Sequence, residues 1–443
     1  MDRPFVDGGG SNLGEREPDA ATRRLWQWVW MRTLVFLLIV PALFFGLLQL
    51  DEEEPAKLPR AARIEPRATS ARPPLAEPVS PRALGPIAFD EGQRRYVAPW
   101  GGAEAQLTLH PDVQARVEEE LRAGRPFFGA TVVLEAKTGR VLALAEHSQR
   151  APEKTGVALR ADAPAASIFK LVSAAALLDH GVAPNEQICF SGGKRRLLPK
   201  HLEDRRRDRC VPFADVIPLS LNAAMAKLTD KHLEEGALVE MASRLGFDRP
   251  LPFEVEVEPS RAHIPADRFG RANTAAGFGD VRLSTLHAAM LTSIIANRGM
   301  LVPPRLVASV DGGALPPLEP PQQVLDPSVA EALSAMMAET VTRGTARRTF
   351  HKRKKGSPLE GVRVAAKTGS LLFYDQHVDH SWLVAFAPVE DPEVVVASVV
   401  VNDWQLWYTK AGPLAKSALE AGLAALAAKD APRSPTPVGH DGR

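Results

Sequence analysis

Cysteine is almost missing from this sequence: Cys189 and Cys210 are the only two in 443 residues. That excludes a multi-disulfide scaffold and leaves too few thiolates for a Cys-rich zinc site. An excess of either charge is missing too. Fifty-four Lys and Arg stand against 53 Asp and Glu, a net charge of +1. Nucleic-acid binding calls for a basic excess, so no nucleic-acid partner is expected. No internal repeat is evident. Proline is plentiful, at 38 residues, and its uneven spread divides the chain.

One long apolar run is present. Residues 33–50 read TLVFLLIVPALFFGLLQL, enough at about 1.5 Å per residue to cross most of a hydrocarbon core. Trp26, Trp28 and Trp30 precede it, where an aromatic belt belongs. Arg23, Arg24 and Arg32 lie before the run and four acids follow it at 51–54. The positive-inside rule then predicts a cytoplasmic segment (1–32) and a single-pass anchor in the cell (inner) membrane (33–50), with everything later outside. Acids after the run, rather than a small-residue cleavage site, argue against a signal peptide. Residues 51–85 carry prolines every few positions and cannot bury a core, which predicts a semi-extended tether. Residues 431–443 have the same character and read as a disordered tail.

Between these ends, 86–430 reads as one two-lobed domain. GATVVLEA (129–136) and RVLALAEH (140–147) are joined by Lys137-Thr138-Gly139, a β-hairpin signature with Gly at the position needing positive φ. Residues 165–300 repeat apolar side chains at three- and four-residue spacing, the helical period. Strand patterns return at 361–366, 381–389 and 393–401, and an Ala- and Leu-rich helix follows at 413–429. Strands from both ends around a helical insert predict an α/β protein of the α+β type: an antiparallel sheet flanked by helices, with an all-helical lobe.

Ser167 and Lys170 open the segment SIFKLVSAAALLDHG. Positions i and i+3 share a helix face, so the amine lies near the hydroxyl. The surroundings are apolar, which disfavours the ammonium and moves the lysine toward general-base chemistry. Ser191 and Lys194 have the same spacing but stand beside Gly-Gly and a run of arginines, so they read as a loop. Ser220, two residues before Asn222, reads on its own as a helix N-cap. Lys367-Thr368-Gly369-Ser370 follows a strand pattern and can present a cation and a hydroxyl to a carboxylate. Lys137-Thr138-Gly139 is the same triplet in a hairpin turn.

The order Ser-x-x-Lys, Ser-x-Asn, Lys-Thr-Gly is more specific than its parts, and with it the chain resembles the transpeptidase domain of penicillin-binding proteins over about 107–426. GATVVLEAKTGRVLALA, GFGDVRLSTLHAAMLTSIIANRG and TRGTA (342–346) resemble segments of the same family. The resemblance implies that Ser167 attacks the carbonyl between the terminal D-alanines of a peptidoglycan stem peptide and Lys170 takes its proton. It implies that Ser220 relays a proton, Asn222 holds the substrate amide, and Lys367 and Thr368 bind the terminal carboxylate of substrate or β-lactam. Gly369 would let the substrate approach, and the Ser167 and Ser370 N–H groups would form the oxyanion hole. No metal or other cofactor is implied; cell-wall synthesis proteins are implied partners.

Departures accompany the likeness: Ile168 stands where Thr is common, Phe278 where Gln is common, and a His-Gly before the second motif is replaced by CVPFADVIPL. The short stretch between tether and first strand leaves no room for a glycosyltransferase domain or a large pedestal. Alternatives are a D,D-carboxypeptidase, a catalytically silent member of a wall-synthesis complex, and a serine β-lactamase. Two basic stretches, 194–209 and 347–355, read either as solvated loops or as faces for anionic lipid or the pyrophosphate of nascent wall polymer. Cys189 and Cys210 bracket the first of these. They are a disulfide candidate worth roughly 3 kcal/mol of loop entropy; zinc would have only His201 as an obvious third ligand.

Overall fold

Val394–Asp403 (VVVASVVVND) is apolar on both of its faces, the composition of a strand covered from two sides. In the computed structural model it is the middle strand of a five-stranded sheet. Residues 84–149, 156–315, 318–351, 355–373, 377–403 and 409–430 are described. The expected cytoplasmic segment, the anchor, the tether up to 83 and the tail lie outside them. Among the described residues no helix is long and apolar enough to cross a membrane.

The sheet contains β1 (Phe128–Glu135), β2 (Val141–His147), β3 (Ala365–Phe373), β4 (Val378–Ala387) and β5 (Val394–Asp403). Their order is β3-β4-β5-β1-β2, antiparallel throughout. β1 and β2 form the expected hairpin, with Gly139 at φ 71° in the turn. The helices are α1 (Pro111–Gly124), α2 (Lys170–Asp179), α3 (Asn222–His232), α4 (Ala237–Arg244), α5 (Arg268–Ala275), α6 (Thr285–Ala296), α7 (Pro327–Thr342), α8 (Arg347–Phe350) and α9 (Ala411–Asp430).

Alternation along β5 divides the interior in two. Val394, Val396 and Val400 join the core under α1 and α9. Val395, Ala397 and Val399 join the larger core with α2, α3 and α6. The two cores sandwich the sheet, which explains why β5 has no polar face. Thr131 and Ser398, directly opposite on β1 and β5, satisfy each other with a 2.8 Å hydroxyl pair inside the protein.

Two expectations need correction. The strand expected over 361–366 starts only at Ala365, because Gly361 at φ 74° belongs to a turn. It then runs on through Lys367 to Phe373, paired with β4 from Ala365↔Phe386 to Phe373↔Val378. The Lys-Thr-Gly triplet therefore lies inside a strand rather than after one. A second five-stranded sheet, absent from the sequence reading, joins Ala88–Asp90, Arg95–Trp100 and Ala103–Leu107 to Val307–Val310 and Gly313–Ala314. It reaches into the segment read as tether: Gly85 N–H donates to Pro99 O at 2.7 Å and Leu84 bridges to Trp100.

Candidate active site

α2 is buried on every side from Lys170 to Leu177. Ser167 comes just before it on a single 3-10 turn, Ala166–Ile168. The nucleophile candidate therefore sits on the turn that enters the helix, and the lysine is the helix's first residue. Lys170 Nζ lies 2.8 Å from Ser167 Oγ and donates to Ala276 O at 2.6 Å. The side chain has no exposed surface. Burial, reinforced by the charge of Lys367, holds its pKa well below the ordinary lysine value. A neutral amine with one N–H committed to a carbonyl has a lone pair free to take the serine proton.

The turn is itself constrained. Ala166 adopts φ 47°, a left-handed conformation that costs a non-glycine residue about 1–2 kcal/mol. Trp382 of β4 holds the preceding backbone, its Nε1–H donating to Pro164 O at 2.9 Å. Ala163–Pro164 pairs with Val281–Leu283 as a short antiparallel ladder. Gly277, at φ 87°, lies so close that a Cβ there would stand 2.4 Å from Ala166 O. Only glycine lets the two backbones meet.

Lys367 enters from β3. Its Nζ donates to Ser220 Oγ at 3.0 Å and to Thr368 O at 2.8 Å, and the side chain has no exposed surface. Burial lowers its pKa to about 7. Burial disfavours the charge on both lysines, and Lys170 has the Lys367 charge against it as well, which favours the proton on Lys367. Ser220 is not the N-cap of α3; Leu221 holds that position and Asn222 is the first helical residue. Ser220 instead stands at φ 52°, fixed by Ser220 N–H donating to Ile217 O and Leu221 N–H donating to Val216 O. Asn222 Nδ2 donates to Lys194 O at 2.8 Å.

Thr368 Oγ1 is 2.6 Å from Thr345 Oγ1, and Thr345 N–H donates to Pro218 O at 3.1 Å. Thr345 thus ties β3 to the loop carrying Ser220, a role the sequence reading missed. Its only signal was its place in TRGTA; its partner lies 23 residues away. Gly277 and the Ala276 carbonyl were missed in the same way, although Gly277 opens the segment GFGDVRL quoted above and Ala276 directly precedes it. Gly369 packs between Trp382 and Ile168, where a Cβ would lie 3.1 Å from Trp382 Cβ and 3.3 Å from Ile168 Cγ1. Ser370, the next residue along β3, is exposed.

Among the described residues, no side chain of the remaining candidates is hydrogen-bonded to this cluster, although the Lys194 carbonyl is. Ser191 and Lys194 occupy a loop. Lys137 pairs with Asp391 at 2.7 Å at the hairpin turn. Cys189 and Cys210 are disulfide-bonded partners on two short strands. His201 Nδ1 accepts from Leu198 N–H at 3.0 Å, which removes it as a ready metal ligand. Among the described residues no three acidic, His or Cys side chains are grouped to hold a metal.

A sequence profile described as penicillin binding protein transpeptidase domain matches residues 129–420. The peptidoglycan D,D-transpeptidase PbpA of Mycolicibacterium smegmatis is 29% identical, with 73% of this chain and 72% of that protein covered. PbpA of Mycobacterium tuberculosis is 28% identical at 73% of each. A ceftriaxone acyl-enzyme complex of penicillin-binding protein A from M. tuberculosis superposes with a TM-score of 0.57 at 25% identity, over 72% of this chain and 79% of that one. A D,D-transpeptidase domain from Eggerthella lenta shares the fold with a TM-score of 0.60 at 21% identity, over 78% of this chain and 98% of that one.

Proposed function

Because the chain belongs to the family of penicillin binding protein transpeptidase domains, we propose that it is a peptidoglycan D,D-transpeptidase working through a serine acyl-enzyme. One observation carries the reading: a fully buried lysine 2.8 Å from a serine hydroxyl, with its pKa lowered. Ser167 Oγ attacks the carbonyl between the two terminal D-alanines, and Lys170 takes the hydroxyl proton. The oxyanion meets the N–H groups of Ser167 and Ser370. As the C–N bond breaks, the leaving D-alanine nitrogen receives a proton from Lys170 by way of Ser220. An amine of a second stem peptide then attacks the ester, releasing Ser167 and forming the cross-link.

Lys367 and Thr368 bind the terminal carboxylate, with Gly369 letting β3 pack close to Ile168 beside the nucleophile. Asn222 has Nδ2 committed to Lys194 O, so its Oδ1 is the atom that accepts a substrate N–H. β-Lactams enter by the same chemistry and stop at the ester. The segment 33–50 anchors the protein in the inner membrane with 86–430 outside, among wall-synthesis partners. A disulfide between Cys189 and Cys210 suits that oxidising side.

Intact mass and peptide mapping after penicillin treatment test the reading. A stable adduct on Ser167, lost in Ser167→Ala, is the expected result. Rapid turnover of penicillin would make the protein a β-lactamase, and no adduct would make it catalytically silent.

A further inference from the structure

The disulfide closes a loop whose side chains the mechanism above does not use. Its acidic side chains are taken: Asp204 and Asp208 ion-pair with the buried Lys227 at 2.7 and 3.0 Å, and Glu203 pairs with Arg268 at 2.9 Å. The Asp208 carboxyl is held below its ordinary pKa, chiefly by the neighbouring Ser191 and then by Lys227. The cations are left over. Arg205, Arg206 and Arg207 are exposed, and among the described residues no carboxylate pairs with their side chains. With Ser191 they line a recess of about 640 Å³. Lys194, Arg195 and Arg196 add exposed positive charge on the same loop.

Two contacts tie this recess to the catalytic cleft. Gly193, at φ 69°, packs on the first turn of α3, where a Cβ would stand 2.7 Å from Ala223 Cβ. The Lys194 carbonyl holds Asn222, the residue placed above on the substrate amide. The recess these residues line is concave, a shape that suits a small oxyanion better than a flat lipid surface.

We infer that the recess is a specificity subsite for the acyl-donor peptide, and that it takes a carboxylate carried upstream of the terminal D-alanines. The inference rests on the transpeptidase reading. Its test uses two pentapeptides ending in D-Ala-D-Ala, one with a free α-carboxylate on a γ-linked D-glutamate and the other with that group amidated. D-alanine release is followed with the full-length protein and with an Arg205→Gln/Arg206→Gln/Arg207→Gln variant, whose positions are exposed and, among the described residues, make no ion pair.

Wild type should prefer the free carboxylate by about tenfold or more in kcat/KM, mostly through KM and less at high salt. The variant should show no preference, while penicillin acylates Ser167 equally in both proteins. A wild type without the preference, or a variant that keeps it, overturns the inference. A variant that keeps the peptide preference but loses binding to phosphatidylglycerol vesicles overturns it as well and assigns the cations to lipid. Failure of penicillin to acylate the wild type would sink the transpeptidase reading instead, so the two failures are distinguishable.

Discussion

Two lysines with no exposed surface stand at one site, and their difference decides what each can do. Lys170 is depressed by burial and by Lys367; Lys367 is lowered by burial alone, to about 7. A base must be neutral and a carboxylate clamp must be charged, so kcat/KM for acylation by a carboxylate-bearing ligand should be bell-shaped. The acid limb falls as Lys170 becomes protonated. The alkaline limb falls near pH 7 as Lys367 loses its proton in the free enzyme. A bound carboxylate raises Lys367 again, so the alkaline limb should fade from kcat. Lys170→Arg keeps a charge but cannot give up a proton, and acylation should drop by about a thousandfold or more with the fold intact. Rapid-quench acylation across pH checks both; an arginine variant within a few-fold of wild type would make Lys170 an electrostatic prop.

At the scale of elements, the legible and the illegible separate by the range of the contacts that define them. The β1–β2 hairpin was readable because alternation and Gly139 are local. α2 was readable because its apolar surround is written into consecutive residues. The second sheet was not: Ala103–Leu107 finds its partner at Val307–Val310, about two hundred residues on, and its short strands carry mixed polarity. Thr345 and the left-handed Ser220 were illegible for the same reason, since their meaning lies in the elements they join. Gly277 gives this a measurable form. Gly277→Ala adds a strained φ and a Cβ 2.4 Å from a backbone oxygen that has no flexible end to yield. The Ala166–Ser167 peptide must shift, and acylation should fall about a hundredfold, the scale of a 1 Å misplacement. Gly361→Ala is the control: also at positive φ, at 74°, but with nothing within 4 Å of its Cβ. It should cost about 1 kcal/mol in stability and leave acylation unchanged. Equal acylation by the two variants would remove Gly277 from any role in placing the nucleophile.

For the molecule as a whole, the larger core carries a titratable group that links its stability to pH. His287 of α6 has no exposed surface; its ring lies 4.6 Å from that of Phe247, and its Nε2–H donates to Leu245 O at 2.9 Å. Burial lowers its pKa from 6.5 to about 4. Between those two values the unfolded chain binds the proton and the folded chain does not, so stability present above about pH 6.5 is lost as pH falls toward 4. From pH 7.5 to 4.5 this one group should remove roughly 2–3 kcal/mol, at 1.36 kcal/mol per unit of pKa difference. His380 of β4, also lowered to about 4 chiefly by burial, acts in the same direction, so the wild-type loss alone does not assign the effect. His287→Gln separates the two: it can keep an N–H for the Leu245 carbonyl but has nothing to titrate. Urea unfolding at the two pH values should show a loss smaller by about 2 kcal/mol in the variant, even if the variant is less stable at pH 7.5. If wild type and variant lose the same stability on acidification, the proton uptake belongs elsewhere and His287 is only a packing residue. The predicted slope matters for the chemistry as well. The acid limb of acylation must be measured where the fold survives, and α6, which carries His287, packs on the same sheet that presents Lys367.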